Sequence, residues 1–143
     1  MFVMSKIAVV YWSGTGNTQE MALAVSDGAK EKGAEVSHFS ASDFKGSMVD
    51  DFDAFAFGCP AMGAEVLEED EFEPMFESCK ASLAGKKVAL FGSYGWGDGE
   101  WMRTWEEDCA AAGINLVCKS VICNEAPDEG AVEECKVLGA ALV

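Results

Sequence analysis

Short apolar runs alternate with longer amphipathic ones from one end of this chain to the other, and that alternation limits the folds open to it. Lys6 to Trp12 reads as a buried strand, from its Ile-Ala-Val-Val core and the glycine turn that follows. Asn17 to Lys32 is predicted helical: Met21, Ala24, Val25 and Ala29 share one apolar face, and Gly33 is the C-cap. Ala34 to Phe39 and Phe52 to Gly58 are the second and third strands, and Val66 to Leu83 is largely helical. Val88 to Ser93 is a fourth apolar strand and Gly99 to Ala112 a helix ending at Gly113. Ile114 to Cys123 is a fifth strand, and a last helix starts near Asp128. Strand and helix in strict alternation predict an α/β fold, a doubly wound parallel sheet with helices on both faces. At 143 residues the chain suits one domain able to bury its own core.

In such a sheet, ligands bind beyond the carboxyl ends of the strands, where the winding reverses. The loops that matter are therefore 13–18, 59–65, 93–99 and 124–127. The first is Ser13-Gly14-Thr15-Gly16-Asn17-Thr18. Its glycines permit tight curvature, its hydroxyls donate, and the helix that follows supplies amides and a positive dipole end, so it suits an anion. An equally simple use of Thr15 or Asn17 is to cap the helix. The loop has no lysine for a triphosphate, and Gln19 stands where a dinucleotide fingerprint needs its third glycine. One terminal monophosphate is what remains.

The third-strand loop, Gly58-Cys59-Pro60-Ala61-Met62-Gly63-Ala64-Glu65, has the pattern of a tight turn at Gly63. Six of the nine residues from Glu65 to Glu73 are acidic, read mainly as a solvated helix start that also makes this edge negative. After the fourth strand, Ser93, Tyr94, Trp96 and Trp101 alternate with Gly92, Gly95, Gly97 and Gly99. Trp101 begins a helix and reads as the buried anchor; Trp96, held on a loop over a pocket, reads as a platform for a planar ring. A phosphorylated planar heterocycle fits this combination. No Ser–His–Asp or Cys–His arrangement is evident, and His38, the single histidine, sits outside these loops. Binding of a cofactor that carries its own chemistry is favoured over hydrolysis.

The formal charge of −15 disfavours nucleic acid and anionic membrane; it serves solubility, basic partners, or both. The six cysteines lack a CxxC pair, Cys118 and Cys123 being closest, and read as reduced, mostly buried thiols. No run is apolar enough to span a bilayer, and the N-terminal stretch lacks signal-peptide character. A cytoplasmic protein is expected, with Met4 an alternative initiator.

The segments "VVYWSGTGNT", "GCPAMG", "KKVALFGSYGWGDGEWMR" and "NEAPDE" resemble, in order and spacing, those of the short-chain clostridial flavodoxins. The resemblance spans essentially the whole chain. It implies a five-stranded parallel sheet of order 2-1-3-4-5 and one noncovalent FMN. It implies that Ser13, Gly14, Thr15, Gly16, Asn17 and Thr18 hold the phosphate. Ala61, Met62, Gly63, Ala64 and Glu65 would line one face of the isoalloxazine beside Pro60, with Met62 on the ring and Glu65 at its N3. Trp96 would stack on the other face, flanked by Ser93, Tyr94, Gly95 and Gly97, and Asn124 would lie near the ribityl or ring edge. On one-electron reduction the peptide at Gly63 would flip so that its carbonyl accepts from N5, favouring the neutral semiquinone. The anionic hydroquinone would be disfavoured by the apolar sandwich and the acidic surroundings. The implied role is a low-potential electron carrier between cytoplasmic redox enzymes, a monomer and not itself an enzyme, docking through its acidic flavin edge onto basic surfaces.

Two positions depart from the pattern: Ala64 replaces Asp or Ser, which bears on the flip, and Pro60 replaces a Ser, which removes one hydroxyl. Two other functions suit the same fold class. In a phosphoacceptor domain, Asp50, Asp51 and Asp53 would supply the acid pocket, but they precede the third strand and leave the aromatic loops unexplained. An FMN-dependent quinone reductase would need an open ring face, which Trp96 closes.

Overall fold

The computed structural model describes residues 5–14, 16–62, 67–95, 97 and 99–143. In chain order the elements are β1 (Lys6–Tyr11), α1 (Asn17–Glu31), β2 (Glu35–Ser40), β3 (Ala54–Gly58), α2 (Phe72–Cys79), β4 (Lys87–Tyr94), α3 (Glu100–Ala111), β5 (Asn115–Leu116), β6 (Val121–Asn124) and α4 (Glu129–Ala141). The sheet is parallel throughout, in the order β2-β1-β3-β4-β5, with β6 also on β4.

Alternation along each strand sorts the core into two layers. Ala8, Val10, Phe55, Phe57, Val88 and Leu90 face one side and meet Phe72 and Phe76 of α2 and Trp101 and Trp105 of α3. Ile7, Val9, Ala54, Ala56, Ala89 and Phe91 face the other and meet Met21 and Val25 of α1 and Leu138 of α4. The first layer is aromatic: Phe57 and Phe76 meet edge to face at 5.1 Å, as do Phe72 and Trp105 at 5.3 Å. Burying each such ring contributes about 1.5–3 kcal/mol. The second layer is rich in alanine, and its helices come close. A Cβ on Gly139 would lie 2.0 Å from the Val25 carbonyl oxygen, and one on Gly28 the same distance from that of Lys136.

α1 ends as its C-cap glycine predicts: Gly33 has φ +89°, and the Gly33 and Ala34 N–H groups donate to the Lys30 and Ala29 carbonyls. Two elements differ from the sequence-based expectation by more than a shift of one or two residues at an end. The run Ile114–Cys123 is not one strand. β5 pairs Leu116 with Val88 and β6 pairs Val121 with Phe91, so β4 advances three residues while its neighbour advances five. Two extra residues bulge out between them. The helix expected from Val66 begins at Phe72 and gives way after Cys79 to a 3₁₀ turn at Lys80–Ser82. Glu68 causes the late start, because its side chain captures the amides of Asp70, Glu71 and Phe72. Among the described residues no helix is long and apolar enough to cross a membrane.

Candidate functional site

The carboxyl ends of β1, β3, β4 and β6 are tied to one another where their loops begin. Trp12 N–H donates to the Gly58 carbonyl (3.0 Å), Ala61 N–H to Ser93 (3.1 Å) and Glu125 N–H to Tyr94 (2.8 Å). The loops therefore leave the sheet in register. Trp12, Gly14, Asn17, Pro60, Ala61, Met62, Ser93, Tyr94, Gly95 and Glu125 enclose a cavity of ≈ 230 Å³. It sits where the winding rule places a ligand, at the reversal between β1 and β3. A larger cavity of ≈ 610 Å³ lies at the sheet edge between β6 and α4, lined by Val121, Val137 and Leu138 among others, and holds none of the predicted site residues.

At the phosphate end, Gly16 takes the left-handed conformation (φ 95°) that turns the chain into α1. Ser13 Oγ accepts from the N–H groups of Gly16 (3.0 Å) and Gln19 (3.4 Å). A neutral hydroxyl oxygen thus occupies donors at the positive end of a 15-residue helix. These amides and hydroxyls, with no cation in the loop, make a donor set that suits a phosphomonoester. Thr18 is placed differently from its neighbours: it is 1 % exposed, and its hydroxyl pairs with Ser93 Oγ at 3.2 Å. It links the phosphate loop to the strand that carries the aromatic loop, a role the motif alone does not reveal.

At the ring end, Ala61, Met62, Tyr94 and Gly95 form the wall, and Tyr94 leans on Trp101 with ring centroids 5.5 Å apart. Trp101 is 1 % exposed and donates from Nε1 to the Cys59 carbonyl (3.0 Å), the anchoring role expected of it. Gly97 is exposed. Asn124 opens instead onto a neighbouring cavity of ≈ 380 Å³ with Ala126 and Asp128, while the adjoining Glu125, at φ 60°, reaches the ring-end cavity. Sequence reasoning did not single out Trp12 or Glu125. Thr15, Gly63, Ala64, Glu65 and Trp96 lie outside the described residues.

All six cysteines are free. Burial, the main cause, pushes the Cys59, Cys109 and Cys135 thiols up to about 12, so they stay protonated at neutral pH. His38 lies on β2, edge-on to Tyr11 at 6.4 Å, with its pKa lowered chiefly by burial. No group of three or more metal-ligating side chains occurs among the described residues.

A family model described as flavodoxin matches residues 9–139. The flavodoxin of Clostridium beijerinckii is 47% identical over 131 residues, spanning 92% of this chain and 94% of that protein. That of Megasphaera elsdenii is 44% identical over 135 residues, spanning 94% and 96%. The solution structure of two-electron reduced Megasphaera elsdenii flavodoxin aligns with a TM-score of 0.88 at 44% identity, covering 95% of this chain and 97% of that one. The cavity at the β1–β3 reversal, the cation-free loop 13–18 and these relationships agree: the chain belongs to the flavodoxins, the FMN-binding flavoproteins of electron transport.

Proposed function

We propose that this chain is a one-domain, low-potential carrier that moves single electrons between cytoplasmic redox enzymes, with its FMN cycling mainly between semiquinone and hydroquinone. The observation that carries the reading is the meeting of the β1, β3 and β4 loops on one cavity, with the loop before α1 at one end of it. Flavodoxins are themselves an example of the switch-point rule that locates such a site.

Ser13 to Thr18 hold the phosphate through amides and hydroxyls, with Thr18 acting through Ser93. Pro60 to Glu65 and Ser93 to Gly97 hold the two faces of the ring, with Met62 and Trp96 against it. Glu125, the neighbour of Asn124, closes the ribityl side. Gly63 would supply a carbonyl oxygen that accepts a hydrogen bond from a protonated ring nitrogen of FMN. Bound FMN supplies the redox chemistry; the protein supplies orientation, exclusion of water and charge. The excess of 25 acidic over 10 basic residues opposes a second negative charge at the ring, which lowers the potential of the second electron. The same charge suits docking, as a monomer, onto partners with basic surfaces, and no substrate has to enter for such a carrier to work.

Anaerobic titration of the purified protein with dithionite tests the reading. A yellow protein that turns blue before bleaching is expected. Direct bleaching without a blue intermediate would refute one-electron cycling, and a colourless protein that takes up phosphate from acetyl phosphate would refute the carrier itself.

A further inference from the structure

One member of the acidic run is not on the surface. Glu68 is 6 % exposed, and its carboxylate collects three backbone donors: Asp70 N–H on Oε2 (2.9 Å), and Glu71 (2.7 Å) and Phe72 (2.8 Å) on Oε1. Its own N–H points at Cys59 Sγ (3.4 Å), and its carbonyl accepts from Glu73 N–H (2.9 Å). Cys59 is fully buried and fixed in turn: its N–H donates to Phe91 (3.2 Å), and its carbonyl accepts from Trp101 Nε1 (3.0 Å). Residues 59 and 68 are thus pinned together at the base of one loop, and the chain between them carries Pro60, Ala61 and Met62 of the cavity wall. Burial alone would raise the Glu68 pKa, but the amides of Phe72, Glu71 and Asp70 outweigh it and hold the carboxyl below its ordinary range. Charge-assisted bonds of this kind are short and directional.

We propose that Glu68 is the positioning residue of the ring-binding loop. Its carboxylate fixes residues 68–72 at the start of α2, and that turn holds the Glu68 backbone N–H against Cys59 Sγ, at the foot of the wall that carries Pro60, Ala61 and Met62, before any ligand arrives. Glu68 thereby raises affinity for the ring end of FMN without touching the cofactor, since a wall already ordered loses less freedom on binding. The phosphate end is held by β1 and α1 and is indifferent to it. The proposal rests on the FMN reading above.

The test compares wild-type protein with Glu68→Gln and Glu68→Ala, using riboflavin as a ring without phosphate and inorganic phosphate as its counterpart. Gln keeps a carbonyl oxygen for Glu71 and Phe72 but sets an NH₂ group against the Asp70 N–H, so its loss is partial. Riboflavin affinity is expected to fall about tenfold in Glu68→Gln and about a hundredfold in Glu68→Ala, with phosphate affinity unchanged within about twofold. In the FMN-free protein, hydrogen exchange at the Asp70, Glu71 and Phe72 amides should accelerate while α1 stays protected. Unchanged riboflavin affinity, or equal losses for riboflavin and phosphate, would overturn the positioning role. Unchanged exchange would overturn the clamp itself whatever FMN does. A wild-type protein that takes up no FMN would overturn the reading beneath both. Should Glu68→Ala fail to fold, Glu68→Gln decides the matter alone.

Discussion

Gly92 lies in β4 under the point where the two ring-binding loops leave the sheet, and replacing it by alanine is the sharpest test of how that end is built. An added Cβ would lie 2.2 Å from the Cys59 carbonyl oxygen and 3.2 Å from Trp101 Cζ2. Real contacts of this kind need roughly another ångström. Neither neighbour can yield, since the Trp101 ring is 1 % exposed and its Nε1 is bonded to the same Cys59 oxygen. Overpacking in such a place costs about 1–3 kcal/mol. Losing the indole hydrogen bond adds about 1 kcal/mol, and the reduced freedom of the unfolded chain returns about 0.4–1 kcal/mol. Gly92→Ala should therefore lose about 1–3.5 kcal/mol, a large part of the usual ~5–15 kcal/mol for a domain. Urea unfolding of the FMN-free protein reads this directly, and FMN affinity should fall with it because Ala61 and Ser93 are bonded across the same two strands. Gly130→Ala is the control. It makes the same change in the first turn of α4, where a Cβ would meet only Asp128 Oδ1 at 3.5 Å, and it should be neutral or stabilising. A Gly92→Ala protein as stable as wild type, with unaltered tryptophan emission, would refute the argument.

Gly63→Val should retain FMN yet accumulate much less of the blue intermediate during reduction, because a Cβ penalises one of the two turn conformations; an undiminished blue band would refute the role proposed for this glycine. Asp128 caps α4 by accepting from Ala131 N–H at 2.8 Å, so Asp128→Ala should lose about 1 kcal/mol in urea unfolding, and an unchanged midpoint would refute the cap. Glu68 has a folded-state pKa below its ordinary value, so its contribution is present at neutral pH and is lost as pH falls through the carboxylate range. The stability gap between wild type and Glu68→Gln should narrow on acidification, and a gap independent of pH would refute the assignment.

Much of this was legible in the sequence because two periods, two and 3.6, mark strands and helices, and because the cation-free phosphate loop and the Gly-aromatic loop follow recognisable strands. What escaped depends on partners distant in the chain. The run from Ile114 to Cys123 is rich in strand-forming residues and reads as continuous; its break is fixed by register against β4, which no local pattern encodes. Glu68 looks like any of its acidic neighbours until Cys59 and the first turn of α2 close around it. Thr18 fits a phosphate motif, and only the fold brings Ser93, 75 residues away, to its hydroxyl.

The cross-strand bonds from Trp12 to Gly58, Ala61 to Ser93 and Glu125 to Tyr94 carry a consequence for the order of assembly. The cavity exists only once strands drawn from most of the chain have docked side by side, and such nonlocal pairing is the slow part of folding a parallel sheet. No local fragment, the phosphate loop included, can recruit the flavin early. The apoprotein has to finish its sheet first, and FMN then acts as a latch on a completed structure, stabilising it in proportion to the logarithm of its concentration rather than guiding the chain there.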